Sequence, residues 1–234
     1  MTAPTRYAGY NFASSGFATT AGGSVDIGSN ANTVVIVRAS ESISSIETIS
    51  GVTLNGVAMT ALTGGTNSNS GAVNTFVIDS GSAIGSGSVN VTLTMSGPNA
   101  KPGLVVEVWH DCTGSPRYTT NTAATLGNST TQSHTVSSNV DSVVVLMGSV
   151  GGGITVVAAS GSTLGASTAA GGSNAGEFAL YKAGAASVTL DWTHNFADTD
   201  YVQAVQVHGA SASTAAVKTG GPTHSTLVQG RLAS

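Results

Sequence analysis

The sequence is short of charge, aromatics, cysteine and helix-forming runs, and each shortage excludes something. Only 8% of its 234 residues are charged, against about 25% in ordinary soluble domains. The seven Lys and Arg stand singly, and the formal net charge is −4. No basic cluster exists for a nucleic-acid backbone, so nucleic acid is not an expected partner. The single cysteine, Cys112, excludes an internal disulfide and is expected as a half-buried free thiol at a strand end. No apolar run reaches the roughly 18 residues of a membrane helix, and no charged leader with an apolar core opens the chain. A membrane partner is therefore not expected, and synthesis in the cytosol is. Glycine and β-branched residues interrupt every window, so no helix is expected either.

What is present is Gly, Ser, Thr, Ala and Asn, interleaved with Val, Ile and Leu. Such a composition makes a polar but weakly charged surface. It suits a molecule that sits against another protein more than one that steers charged ligands. A chain of this length buries about 70% of its unfolded surface and needs neither metal nor disulfide to hold it.

The stretch Gly176–His194 reads as two strands around a small-residue turn. Phe178 and Leu180 alternate with polar or small neighbours, as do Val188, Leu190 and Trp192, which is the period of a half-buried strand. Thr75–Ser96 has the same order: Phe76 and Ile78, a Gly/Ser loop, then Val89, Val91, Leu93 and Met95. The flanks repeat as well. Asn32–Val37 matches Asp141–Leu146, and Leu104–His110 matches Val202–His208. The chain is thus read as two related β units, 31–111 and 139–209, packed as one body. One continuous body is favoured because about five strands alone would leave long edges open.

In chain order, Met1–Gly23 carries Tyr7, Tyr10, Phe12 and Phe17 without a clean period. Such aromatics fold back as a lid or dock in a neighbouring subunit, and the segment is taken as an N-terminal arm. The body is assigned to 24–209. Ser24–Gly28 reads as a short edge strand, and Thr33–Ala39 as a central strand buried on both faces. Asn55-Gly56, between Ile46–Leu54 and Val57–Leu62, predicts a type I′ hairpin. Gly64–Gly71 reads as a loop, and Cys112–Ser133 as a surface crossing between the units. His134–Ser138 and Ser142–Val150 resume the strands, and a triple-glycine turn leads into Ile154–Ala158. Ser160–Ala175 is read as low-complexity loop, and 210–234 as an extended tail whose only alternation is Thr226–Val228.

No G-x-S-x-G elbow, phosphate loop, dinucleotide fingerprint or H-E-x-x-H occurs. No catalytic residue, cofactor or metal ligand is assigned. The densest polar stretch is Asp191–Asp200. Asp198, Asp200 and Asn195 have oxygen ligands at a spacing a Ca²⁺ loop uses, but the same residues suit an ordinary loop, which is preferred. His110 and His208 end equivalent strands and are read as locally bonded rather than as metal ligands. Glu107, between Val106 and Val108, is placed on the solvent side. Trp192 is assigned to the core. Tyr118, Phe196 and Tyr201 are assigned to its fringe, the alternative being an aromatic platform for carbohydrate.

The residues Asn32–Val37, Ile49–Leu62, Gly87–Thr94, Leu104–His110, Asp141–Met147 and Lys182–Thr193 together resemble a β-sandwich domain common in virion proteins of tailed bacteriophages. The likeness covers about three quarters of the chain, and the aromatic N-terminal segment and the Ala/Ser/Thr tail depart from it. It implies an all-β, jelly-roll-like sandwich and carries no catalytic residues with it. The role it implies is a structural protein of the virion, most readily a capsid decoration or cement protein on the shell surface. Its partners would be the major capsid protein and neighbouring copies of itself. The expected contacts are Tyr7, Tyr10, Phe12 and Phe17 in the first arm and Leu227, Val228 and Arg231 in the second. The alternative role is a tail or fibre module that binds host glycans.

Overall fold

The computed structural model describes residues 3–14, 16–41, 47–62, 73–80, 84–151, 154–168 and 176–209. Every regular element among them is a strand. The first unit comprises β1 (Thr5–Ala13), β2 (Thr20–Asp26), β3 (Val34–Glu41), β4 (Ile49–Leu54), β5 (Val57–Ala58), β6 (Thr60–Leu62), β7 (Val73–Asp79), β8 (Ser88–Met95) and β9 (Pro102–His110). The second comprises β10 (Tyr118–Ser137), β11 (Ser142–Val150), β12 (Val156–Ala159), β13 (Thr163–Ser167), β14 (Gly176–Ala183) and β15 (Ser187–His208).

Pairing in the first unit is nested: β1 with β9, β2 with β8, β3 with β7 and β4 with β5. A long antiparallel hairpin paired in this way, and then rolled up, gives two facing sheets. Their orders are β1-β9-β3-β7-β6 and β2-β8-β4-β5, the wrapping of a jelly roll. The second unit repeats the scheme in one sheet, β10-β15-β11-β14-β13, with β12 also on β15. Its two longest strands do double duty. The first part of β10 pairs with the last part of β15, and the last part of β10 with the first part of β15. Register shifts between Leu126 and Thr131 mark the bend, where β-bulges re-aim a strand. The sheet thereby folds over, and Phe178 of β14 meets Trp192 of β15 with ring centroids 5.7 Å apart.

The correspondence extends to register. Val34 faces Trp109, and its counterpart Val143 faces Val207. Val89 faces Val25, and Val188 faces Val136. Val52 faces Leu93, and Ala158 faces Trp192. In one detail the structure corrects the sequence alignment. Val37 faces Phe76 while its counterpart Leu146 faces Leu180, so Phe76 corresponds to Leu180 and not to Phe178. A two-residue offset keeps side chains on the same face and is invisible to period-2 reasoning.

Three apolar layers result. Val35, Val37, Val91, Leu93, Leu104 and Val106 fill the first unit. Leu146, Phe178, Leu180, Leu190 and Trp192 fill the second. Between the units, Val34, Ile36, Val105 and Trp109 meet Val143, Val145, Met147, Val205 and Val207. The middle sheets are covered on both faces, so β3 and β11 are buried at every position. The central-strand reading of Thr33–Ala39 holds, and so does the hairpin, with Asn55 at φ 51° and Gly56 at φ 79°.

Several expectations are overturned. The Met1–Gly23 arm is in fact part of the body from Thr5 onward, because β1 pairs with β9 and β2 with β8. The crossing segment Cys112–Ser133 is largely strand β10, and the loop Ser160–Ala175 contains β13. In β10, Gln132 and Val136 are its buried residues with all other described side chains at least partly exposed. Thr and Ser therefore replace the apolar residues that would have signalled a strand. Loop 64–71 and tail 210–234 lie outside the described residues.

Candidate functional site

One set of buried polar groups lies on the face between the two units. Arg6 of β1 donates twice to the Glu107 carboxylate, at 2.6 and 2.9 Å. The Ala166 amide of β13 donates to the same carboxylate at 2.6 Å. Glu107 is fully buried, contrary to its assignment to solvent, because β13 and β14 cover the second face of β9. The hydrogen bond to Glu107 raises the Arg6 pKa further above its ordinary value. Arg38 of β3 is also fully buried. It donates to Ser149 Oγ at 2.9 Å, Thr75 Oγ1 at 2.9 Å and the Tyr201 carbonyl at 2.5 Å. Burial lowers its pKa to about 9. Glu177, beside it on β14, accepts from Ser40 and from Thr168, and burial raises its pKa. These groups tie β1, β3 and β9 of one unit to β11, β13, β14 and β15 of the other. Sequence reasoning missed them. Its one available signal was a charged residue inside an apolar run, as in Val34–Glu41.

A second buried group sits at the bend of β15. Trp192 Nε1 donates to Asp200 Oδ2 at 2.5 Å, and His194 Nε2 lies 3.1 Å from the same oxygen. His194 Nδ1 is 3.3 Å from the Ser129 carbonyl. Burial raises the Asp200 pKa to about 7 and lowers that of His194. Both shifts favour an uncharged pair, with Nδ1–H of His194 donating to Ser129 and Nε2 left as an acceptor. The oxygens considered for calcium do not converge. Asp198 accepts from the Gly151 and Thr199 amides, Asn195 accepts from the Thr155 amide, and Asp200 points into this pair.

The aromatic contacts proposed for the first arm are dispersed. Tyr10 and Phe12 pack against the first core. Tyr7 stacks on His110 at 4.2 Å and donates to Asp26 Oδ2 at 2.9 Å. Phe17 is 65% exposed, with Lys101 Nζ 5.3 Å from its ring centre. Leu227, Val228 and Arg231 lie outside the described residues. His110 bonds the Ile27 carbonyl and His208 bonds Thr119 Oγ1, each at 2.9 Å, so the strand-end histidines are locally bonded as read. Cys112 is fully rather than half buried, and burial pushes its thiol up to about 12. Trp192 is core, as assigned. Tyr118 faces Val207 and Tyr201 faces Thr125 in the β10–β15 ladder. That is six residues along β15, or about 20 Å, so the two do not share a platform.

On the outside, among the described residues β10 has a partner on one side only. It presents a 20-residue edge, YTTNTAATLGNSTTQSHTVS, without Lys, Arg, Asp, Glu or Pro. The chain passes Gly209 beside both ends of this strand. His208 N donates to the Arg117 carbonyl, and Gly209 N donates to the Asp141 carbonyl. An open cleft of about 870 Å³ lies there, lined by Thr113, Ser138, Val140, Asp141 and His208 among others. No protein-family model, curated protein or solved structure matches this chain.

Proposed function

We propose that this chain is a non-enzymatic structural protein of a tailed-bacteriophage virion, a decoration protein held on the outer surface of the capsid. The observation that carries the reading is the long uncharged edge of β10, a ready template for another protein's backbone. The weakly charged surface supports it, as does the rolled double-sheet architecture, which also occurs in viral capsid and lectin domains; the latter is an analogy of fold alone. With Tyr10 and Phe12 packed against the first core, the anchoring role passes to the exposed edges and to residues 210–234. A tethered second contact then forms at high effective concentration.

The test is reassembly on capsids stripped of the protein. Saturable binding at a fixed copy number, weakened when residues 210–234 are removed, is the expected result. Absence of binding to capsids, with binding to host polysaccharide instead, overturns the reading in favour of the glycan module.

A further inference from the structure

The same edge occurs twice in this molecule, once blunted and once not. In the first unit Thr20–Asp26 of β2 pairs with β8, and in the second Thr131–Ser137 of β10 pairs with the start of β15. Position by position, Thr20 corresponds to Thr131, Gly22 to Ser133 and Asp26 to Ser137. Edge strands are protected from pairing by charge, by bulges and by proline. The first edge ends in the ionised Asp26, whose pKa is lowered by the Gly28 amide and the Tyr7 hydroxyl. It also carries Gly22 at φ 142°, where an added Cβ would meet the Val91 carbonyl. The second edge has neither device. Like the first edge on β8, its seven residues keep unbroken register with their partner strand, from Thr131 opposite Thr193 to Ser137 opposite Ser187.

We propose that Thr131–Ser137 is a self-recognition edge, through which two copies of this chain join antiparallel and continue the outer layer of the second unit across both molecules. An uncharged strand meets its own copy without like-charge repulsion, whereas a charged partner strand gains nothing from it. The exposed hydroxyl residues of the run are also placed symmetrically about His134. A two-fold axis there sets Ser133 against Thr135 of the other copy, Thr131 against Ser137 and Gln132 against Val136. Thr131, Ser133, Thr135 and Ser137 are all exposed, and hydroxyl pairs across strands stabilise a sheet. One such pair, Thr135 with Thr189 at 2.8 Å, exists within the molecule. In an antiparallel ladder every second residue turns its N–H and C=O outward, and the second copy supplies their partners. Seven residues a side bury less than the roughly 800 Å² per partner of a standard interface. The contact is therefore weak in solution and strengthens where copies are crowded on a surface.

The experiment needs no capsid, so its failure and that of the virion reading are separate results. Sedimentation equilibrium of the full chain up to about 1 mM is combined with amide hydrogen exchange at low and high protein concentration. The expected result is a monomer–dimer equilibrium in which amides of 131–137 gain protection with concentration. Ser133→Lys and Thr135→Lys each shift dimerisation at least tenfold to higher concentration, while Thr20→Lys on the blunted edge leaves it unchanged. Each variant should melt within a few degrees of the parent, which separates loss of pairing from loss of fold. A monomer at every concentration overturns the proposal, as does a dimer indifferent to both lysines. Protection of 131–137 that is independent of concentration also overturns it, because the edge would then be covered by the same chain.

Discussion

Asp200 and Glu107 are both buried carboxylates, and the fold treats them in opposite ways. Glu107 is met by the Arg6 guanidinium and an amide, whereas among the described residues Asp200 meets only Trp192 and a histidine. Desolvation therefore wins at Asp200, and its pKa rises to about 7 from about 4 in the unfolded chain. Between those values the folded state binds more protons, so this contribution to stability falls as pH rises and is fully lost above about pH 7. His194 acts in the other sense. Its lowered pKa means that the unfolded chain takes the proton first as pH falls below about 6.5. Between pH 6 and pH 8 the Asp200 contribution by itself falls by on the order of 1 kcal/mol, and the lowered pKa values of His194 and His208 act against that fall. Asp200→Asn keeps an acceptor for Trp192 and cannot ionise, so the Asp200 fall should be absent from the variant, whose urea midpoint should rise with pH across that range as the lowered His194 and His208 pKa values dictate. The same pH response in parent and variant would acquit Asp200. Sequence alone did not foresee this pair, since the Asp191–Asp200 pattern fits a polar loop equally well.

At the level of elements, the legible strands were those whose alternation is carried by large apolar residues. The Asn55-Gly56 hairpin was legible because its chemistry is local: both residues sit at positive φ, as a type I′ turn demands. Gly56→Val forces a β-branched side chain into that conformation and should cost about 1–2 kcal/mol in chemical denaturation. Gly51→Val, in β4 with open space around its Cβ, serves as the comparison and should be close to neutral. Equal costs at both sites would mean that strand packing, and not the turn, sets the penalty. β10 was illegible for the converse reason. It is an edge, so it needs burial only at Gln132 and Val136, and hydropathy has almost nothing to report. β1 was missed because its pairing with β9 spans about a hundred residues of sequence.

On the scale of the whole molecule, the two units share a core and a set of buried charges, so they should unfold together. Trp109 lies in the layer between the units and Trp192 within the second, one reporter for each place. Trp109→Phe and Trp192→Phe leave single-tryptophan proteins whose fluorescence transitions, each compared with its own circular dichroism, should coincide. An early fluorescence transition in either would show that one unit melts alone. The sequence by itself determined the all-β class, the central strands and the two-fold repetition of the pattern, because strand period and turn chemistry are local properties of neighbouring residues. Only the tertiary structure decided that Tyr10 and Phe12 join the first sandwich. It alone decided that Glu107 and Arg38 face a second sheet instead of water, and that β10 ends its sheet among the described residues. Alternation tells which residues share a face of a strand. What covers that face, and which backbone lies beside the strand, depends on segments far away in the chain.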